Sequence, residues 1–228
     1  MPDAPIDVLT VLTVRDGWLA VHKPPGVLVV PGRGEDPEAC LWHRVEAQRG
    51  ERLWVVHRLD RDTTGVVVFA RTAEAHRRWS IAFEAGRVEK EYLAFTAGIP
   101  SSLDVTHGLL DAGHGRMRIA NPGEKGAKSS RTRFERLRTW TGVCLVRCRP
   151  TTGRQHQIRV HLAAVGAPIL CDPLYGEART ELPLERLALH ASRLVAPHEL
   201  GGDELSAPMP ADLVALQRHL ESRQLGPA

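Results

Sequence analysis

A carboxylate and two arginines lie between two apolar runs in the segment Trp54–Ala70. Each run is short and rich in valine, which predicts two buried strands, and charge between buried strands requires an explanation. The charged residues, Arg58, Asp60 and Arg61, precede a Thr-Thr-Gly turn that leads into the second run. Such a connection delivers one polar side chain to a cleft, and we predict that Asp60 is that side chain. The alternative is a turn aspartate that only accepts hydrogen bonds from nearby amides.

The composition is that of a globular protein. The chain has 228 residues, 43% hydrophobic and 25% charged, which suits one domain over 1–228 and excludes a disordered or fibrous class. Its four cysteines form no Cys-x-x-Cys pair, which indicates a reducing compartment. The first residues lack the basic lead and cleavage site of a signal peptide, and no run approaches the ~20 apolar residues of a bilayer crossing. We therefore expect a cytoplasmic protein without membrane contact.

Periodicity along the chain predicts both strands and helices. Besides the two apolar runs, predicted strands cover 8–14, 18–22, 27–30, 90–96, 131–137, 143–149 and 187–194. Predicted helices cover 36–50, 73–85, 154–165 and 211–223. The segment 107–130 is rich in glycine and lysine, which predicts a long connection. Because the strands do not alternate regularly with helices, the predicted fold class is α+β around a mixed, largely antiparallel sheet.

Basic residues are concentrated in the segment 116–138, in a chain of net charge +3. Eight of them stand against the two acids Glu124 and Glu135. The eight are Arg116, Arg118, Lys125, Lys128, Arg131, Arg133, Arg136 and Arg138. A segment of this charge could follow a phosphate backbone, with Lys128, Arg131 and Arg133 as contacts. The competing interpretation is an ordinary solvated surface.

The segment Arg154–His161 has polar residues at helical spacing. On a helix, Arg154 and Arg159 would border the apolar stripe rather than oppose it, which predicts a cleft wall. A metal site formed by His156 and His161 is disfavoured, because a five-residue spacing places them about 140° apart around a helix, whereas two ligands usually lie four residues apart. We expect no metal ion.

Several separate segments together resemble one known family. They are Lys23–Gly26, His57–Gly65, Lys90–Tyr92, Thr152–His161, Gly166–Gly176 and Leu187–Ala191. In this order they resemble the signature segments of the RluA-type pseudouridine synthases, over roughly Val8 to Leu194. The resemblance implies a mixed sheet with flanking helices and two lobes around a catalytic cleft.

The resemblance also implies an activity and the residues for it. The family's reaction detaches uracil from C1′ of its ribose in RNA, turns it and rejoins it through C5, with no cofactor. Asp60 matches the catalytic aspartate, whose role stays open between attack at C1′, attack on the base and deprotonation of the sugar. Tyr92 matches the tyrosine that stacks on the target base and is proposed to help remove the C5 proton. Arg159 best matches the basic partner of the aspartate, with Arg154 as second choice, and a cation there would favour the carboxylate.

The implied partner is RNA, either ribosomal or transfer RNA, and a monomer is expected. Arg58 matches a residue that fills the space left by the extruded uridine. The other candidate RNA contacts of the two signature segments are Arg61, Arg154 and His156. Many relatives carry an amino-terminal S4-like RNA-binding domain, whereas the resemblance here starts almost at Met1. Recognition is therefore expected from the catalytic domain itself, with the segment 116–138 as its surface.

Two departures and two alternative functions accompany this assignment. Thr64 and Cys171 replace the more usual Ser and Gly, which could shift the turn after Asp60 and the following loop but removes no reacting group. A catalytically idle RNA-binding protein is one alternative, and the intact Asp60, Tyr92 and Arg159 argue against it. The other is a haloacid-dehalogenase-like phosphotransferase, suggested by Asp60-Arg61-Asp62-Thr63. The strand interruption before Asp60 and the missing strand-helix alternation disfavour it.

Overall fold

The computed structural model describes residues 9–32, 34–177 and 181–224. Its strands are β1 (Val11–Val14), β2 (Trp18–Lys23), β3 (Trp54–Val55), β4 (Thr64–Ala70), β5 (Glu89–Ala97), β6 (Asp104–Gly113), β7 (Arg116–Ile119), β8 (Lys128–Trp140), β9 (Val143–Pro150), β10 (Leu189–Val195) and β11 (Glu204–Ser206). Its α-helices are α1 (Leu41–Arg49), α2 (Ala73–Glu84), α3 (Gln157–Ala164) and α4 (Ala211–Gln224). Short 3-10 turns cover Pro37–Ala39 and His198–Leu200.

All the strands belong to one mixed sheet. Its main path runs β1-β2-β4-β10-β5-β9-β8-β6-β7, with β3 beside β4 and β11 beside β10. Among the described strand pairs, β4 with β10 is parallel and the others are antiparallel. The α+β prediction is confirmed. A parallel sheet of the phosphotransferase kind is excluded, because its strand-helix alternation would make the central pairs parallel.

Strand β4 is buried along its whole length because both of its faces are covered. Val66 and Val68 point into one core with Trp79 and Ala82 of α2. Val67 and Phe69 point to the opposite face, into a core that includes residues of α1. Alternate residues of a strand face opposite sides, so a strand between two cores is apolar throughout. A third core joins β5, β8 and β9 to α3 and α4.

Most predicted elements are present, and the differences have local causes. Thr72 caps α2 by accepting from Ala75 N at 3.1 Å, as its sequence predicts. The predicted helix 36–50 is divided, because extended Cys40 separates the 3-10 turn from α1. The predicted helix 154–165 starts only at Gln157, because His156 adopts the left-handed region with φ 52°. Residue 8 of the first predicted strand lies outside the described residues.

Two predictions of the sequence are wrong. The segment 27–30 is not a strand, because its carbonyls cap α1: Leu41 N donates to Leu28 O at 2.8 Å and Trp42 N to Val29 O at 3.2 Å. The segment 107–130 is not a long connection but contains the β6–β7 hairpin and the start of β8. Its strands are largely exposed on both faces, which removes the alternation that would reveal them.

None of the helices in the described ranges combines the length and apolarity that a bilayer crossing requires.

Candidate active site

Asp60 lies in the loop between β3 and β4, and a buried lysine holds this loop. Lys23 Nζ donates to Arg61 O at 2.6 Å and to Pro24 O at 2.8 Å. Thr63 N closes a turn on Asp60 O at 3.1 Å. The Lys23 side chain is fully buried, and burial lowers its pKa to about 7. Lys23 therefore ties the backbone that follows Asp60 to the turn at Pro24 by hydrogen bonds to carbonyl groups.

The start of β4 fixes the other end of the loop. Gly65 has φ +122° and lies so close to β10 that a Cβ atom would be 2.1 Å from Ala191 O. Only glycine fits there without displacing a strand. Beside it, the Thr64 hydroxyl lies 2.9 Å from His190 Nδ1, whose other nitrogen lies 3.1 Å from Ala207 O. Because Nε2–H must donate to that carbonyl, Thr64 donates to Nδ1.

The carboxylate of Asp60 pairs with Arg159 of α3. Arg159 Nη1 donates to Asp60 Oδ2 at 2.9 Å, across 99 residues of sequence. The same guanidinium donates to both oxygens of Asp172, from Nε at 2.8 Å and from Nη2 at 2.7 Å. Asp172 is fully buried and also accepts from Leu174 N at 2.9 Å. One arginine thus bridges a structural carboxylate and an accessible one, because the Asp60 side chain is 31% exposed.

This bridge fixes the charge of the site. Burial acts to lower the pKa of Arg159, but the hydrogen bonds and negative charges of Asp172 and Asp60 outweigh it, so the pKa is raised. Arg159 therefore stays cationic and keeps Asp60 Oδ2 occupied. Asp60 Oδ1 accepts no hydrogen bond from the residues that the structure describes. One carboxylate oxygen of Asp60 is held by Arg159, and the other has no hydrogen-bond partner among the described residues.

An imidazole and a phenol border the same carboxylate. His156 Nε2 lies 3.7 Å from Asp60 Oδ2, and its Nδ1 lies 2.9 Å from the Tyr175 hydroxyl. That hydroxyl accepts from Met117 N at 2.7 Å, so its own proton is free to donate to Nδ1. This network assigns the imidazole proton to Nε2, facing Asp60. Burial lowers the pKa of His156, which favours the neutral ring.

Asp60 opens into a cleft of about 360 Å³, which we call the first cleft. Tyr92, Arg58, Lys90, Leu189 and Thr152 are among its lining residues, together with His156 and Arg159. Burial, with the charge of Asp60 as the next cause, raises the pKa of Tyr92. The Tyr92 phenol is therefore protonated at neutral pH, and Tyr92 lines the same cleft as the Asp60 carboxylate. A cleft of this volume suits a small planar ligand.

Comparison with known proteins identifies the family to which this geometry belongs. A family model described as RNA pseudouridylate synthase matches residues 17–164. The chain belongs to this family. Its members are isomerases that act on RNA uridine, so the RluA-type resemblance is confirmed. The cleft at Asp60 is the candidate active site of a pseudouridylate synthase.

Named relatives of this family extend the match over most of the chain. An uncharacterized RNA pseudouridine synthase of Chloroflexus aurantiacus is 38% identical and covers 89% of the chain. The ribosomal large subunit pseudouridine synthase D of Nitrosomonas europaea is 34% identical and covers 91%. The chain spans only 66% and 64% of the lengths of these two relatives. The dual-specificity RNA pseudouridine synthase RluA of Escherichia coli is 34% identical, covering 90% of the chain and 94% of its own length.

Solved structures share the pseudouridylate synthase fold. Human RNA pseudouridylate synthase domain containing 4 superposes with a TM-score of 0.77 at 24% identity, over 93% of both chains. Human RNA pseudouridylate synthase domain containing 1 gives a TM-score of 0.74 at 29% identity, over 92% of this chain and 87% of the other. The mixed, mainly antiparallel sheet is therefore the family's fold.

The arginines of the two signature segments occupy different places. Arg58 is exposed at the mouth of the first cleft, with no ion-pair partner among the described residues. Arg154 does not reach Asp60 but donates from Nε to Ser129 O at 3.2 Å. Arg61 forms an ion pair with Glu35. Of the two candidates for the aspartate's partner, Arg159 is the one that makes the contact.

The basic segment 116–138 is partly neutralised by neighbouring acids. Arg131 donates to both oxygens of Asp104, and Arg133 lies 3.6 Å from the same carboxylate. Lys128 is exposed, with no carboxylate within ion-pair distance among the described residues. Of the three candidates for phosphate contacts, Lys128 therefore has the least compensated charge.

Sequence reasoning missed three residues of the site: Lys23, Asp172 and Tyr175. All three lie in segments that resemble the family, but none was given a role. For Lys23, the sequence signal is its place beside the Pro-Pro-Gly turn, which could have predicted that this lysine anchors a neighbouring loop. The family's more usual glycine at position 171 is explained, because Cys171 has φ 56° in the left-handed region.

Proposed function

We propose that this protein isomerises uridine to pseudouridine in RNA, with Asp60 as the catalytic residue. The observation that carries the proposal is the Asp60 carboxylate, with Oδ2 held by Arg159 and Oδ1 unpaired at the first cleft. A nucleophile or base needs a free oxygen in a fixed place, and the buried bridge to Asp172 supplies that fixed place.

The reaction breaks the bond from uracil N1 to C1′ and forms the bond from C5 to C1′. N1 gains a proton and C5 loses one to the solvent, so no oxidant or cofactor is consumed. Asp60 Oδ1 can attack C1′, attack the base or remove a sugar proton, and all three routes use the same oxygen. Arg159 stabilises the carboxylate before the attack and keeps its orientation afterwards.

Two side chains near Asp60 suit the handling of the base and its proton. Tyr92 carries a protonated phenol, which favours stacking on the uracil over acting as a base in the resting enzyme. His156 is held by Tyr175 with Nε2–H towards Asp60. The Nε2–H group can donate a proton towards Asp60 while Nδ1 accepts one from the Tyr175 hydroxyl, so a neutral imidazole in that position can relay a proton, whereas the C5 proton itself leaves to the solvent.

The proposed substrate is a uridine of ribosomal or transfer RNA, in a cytoplasmic setting and with a monomeric enzyme. Support comes from the relatives, of which one is named for the large ribosomal subunit and another for dual specificity. Mapping of pseudouridine in RNA from cells with and without the protein identifies the modified position.

The test is release of tritium from RNA labelled at uridine C5, without added metal or nucleotide. Wild-type protein is expected to release tritium. Asp60→Asn should lower the rate at least about a thousandfold, because it removes the reacting oxygen's charge while keeping the side chain's shape. Asp16→Asn, in the exposed β1–β2 turn, is the matched control and should keep the wild-type rate.

RNA binding by Asp60→Asn distinguishes catalysis from binding. Its affinity should stay within about threefold of wild type, because a carboxylate does not attract phosphate. Tritium release by Asp60→Asn at the wild-type rate would refute the role of Asp60. Binding without any release by wild-type protein would favour the idle RNA-binding alternative.

A further inference from the structure

A second cleft lies on the other side of Asp60. It has a volume of about 430 Å³ and shares Arg58, Leu59, Asp60, His156 and Arg159 with the first cleft. The catalytic carboxylate therefore lies in a wall between two cavities, of which only the first contains Tyr92. Because Asp60 lines the second cleft, a nucleotide joined by one phosphodiester to a ribose at Asp60 would be within reach of it.

The side chains of the second cleft suit a nucleobase. Val30, Pro31, Leu174 and Leu187 provide apolar surface. Gln155 offers an exposed amide, and the half-buried carboxylate of Asp62 accepts no hydrogen bond from the described residues. Stacking surface with a few polar groups is how proteins hold unpaired bases. Two carboxylates, Asp60 and Asp62, and three arginines, Arg58, Arg61 and Arg159, line this cleft, so charge alone does not select its ligand. The apolar surface and the unpaired Asp62 carboxylate, which can accept from an N–H donor, favour a base over a phosphate.

The walls of the second cleft are held in place before any ligand arrives. On one side, Leu28 O and Val29 O accept from the first turn of α1. On the other side, Leu174 N donates to Asp172, the carboxylate that also binds Arg159. A preformed cavity loses less entropy on binding than one that must close around its ligand.

We propose that the second cleft binds the base of a nucleotide adjacent to the target uridine, and so contributes to the choice of sequence around that uridine. This proposal rests on the proposed function, since it needs an RNA strand that reacts at Asp60. The enzyme then opens two neighbouring nucleotides of the strand, one into each cleft.

The test uses one variant that fills the second cleft and one that removes the Gln155 amide from it. Leu174→Trp and Gln155→Ala are assayed for tritium release from C5-labelled RNA of cells that lack the protein. Each should raise KM by about fivefold or more, the order of one lost base-stacking contact, with kcat within twofold of wild type. Ile99→Trp places the same ring on the exposed connection between β5 and β6, outside the linings of both clefts, and should change neither value. Thermal melting verifies that each variant folds.

Ultraviolet crosslinking of wild-type protein to the same RNA gives a second measurement. A nucleotide next to the modified uridine should crosslink to peptide 28–32 or 173–175, and Leu174→Trp should lose that crosslink. A collapse of kcat to the Asp60→Asn level would overturn the proposal, because the second cleft would then hold the reacting uridine. Unchanged KM and crosslinks elsewhere would also overturn it. Wild-type protein without tritium release would refute the proposed function and this proposal with it, whereas wild-type release with unchanged KM and crosslinks elsewhere would refute the second cleft alone.

Discussion

Arginine–aspartate pairs occur in two regions of this protein with the same geometry and different surroundings. At the floor of the first cleft, Arg159 and Asp172 have side chains 7% and 0% exposed. On the outer β6–β8 ribbon, Arg131 and Asp104 have side chains 42% and 43% exposed. In both pairs the guanidinium donates to both carboxylate oxygens.

The difference in exposure means that the buried pair can position other side chains, whereas the exposed pair is easily replaced by contacts with water. The buried pair cannot exchange its partners for water, so removing one leaves an uncompensated charge in the interior. The exposed pair is screened by salt and contributes little to stability. Asp172 can therefore hold Arg159 against Asp60, whereas Arg131 can release Asp104 when a phosphate approaches.

Removal of each aspartate gives the largest contrast between the two regions. Asp172→Ala should lower the free energy of unfolding by about 3 to 5 kcal/mol, because Arg159 stays buried without its main partner. Asp104→Ala, the matched control on the ribbon, should give no measurable change. Urea denaturation of both variants measures this, and equal losses would show that burial does not distinguish the pairs.

Acid should destabilise the protein by protonating His161, which contacts the inner face of β8. His161 of α3 lies 2.9 Å from Thr132 Oγ1 and 3.0 Å from Ser130 Oγ, and burial lowers its pKa to about 4. Between pH 6.5 and 4 the unfolded chain therefore binds a proton that the folded protein excludes. Stability should fall as pH falls through this window, by roughly 1.4 kcal/mol per pH unit for this group.

Replacement of the same imidazole isolates its contribution. His161→Gln keeps hydrogen-bonding capacity and does not titrate, so its stability should depend less steeply on pH between 6.5 and 4. Thermal melting across that range measures both proteins. An unchanged slope would mean that His161 is not the titrating group, which would leave other histidines as candidates, among them His190, with a pKa lowered by burial to about 4, and His57, with a pKa lowered by burial to about 3.

The smallest expected effect is on RNA affinity, and it is tested by replacing two cations of the β6–β8 ribbon, Lys128 and Arg131. Lys128→Ala should weaken binding and reduce the slope of log K against log salt by about 0.7 to 0.9, the value for one lost phosphate contact. Arg131→Ala should do less, because Asp104 already compensates that charge. Titrations at several salt concentrations measure both slopes. A larger loss of affinity for Arg131→Ala than for Lys128→Ala would contradict this expectation. No loss for either variant would favour the interpretation of the segment 116–138 as an ordinary solvated surface.

Local structure was predictable where one face of an element is buried. Helix α2 follows its cap Thr72 and its apolar period, and β4 follows its run of valines. The segment 27–30 is equally apolar, but its carbonyls are used by α1 instead of a neighbouring strand. The β6–β7 hairpin escaped prediction for the opposite reason, since it has too little buried surface to show a period.

The choice between Arg154 and Arg159 depended on where a helix begins. The predicted helix 154–165 would have placed the two arginines on adjacent sides, both bordering its apolar stripe. In the structure, His156 is left-handed and α3 begins at Gln157, so Arg154 lies before the helix and turns to Ser129. A single backbone conformation thus selects the partner of Asp60, and periodicity alone cannot predict it.

Sequence by itself determined the α+β class and the charged loop between two strands, and it predicted Asp60 as the candidate catalytic residue. These follow from side-chain period, turn chemistry and the cost of placing charge beside a core. Tertiary structure alone decided that Arg159 bridges Asp60 to Asp172, and that Asp60 separates two clefts. The physical reason is that these contacts join residues distant along the chain, whose meeting depends on how the whole sheet and its loops pack.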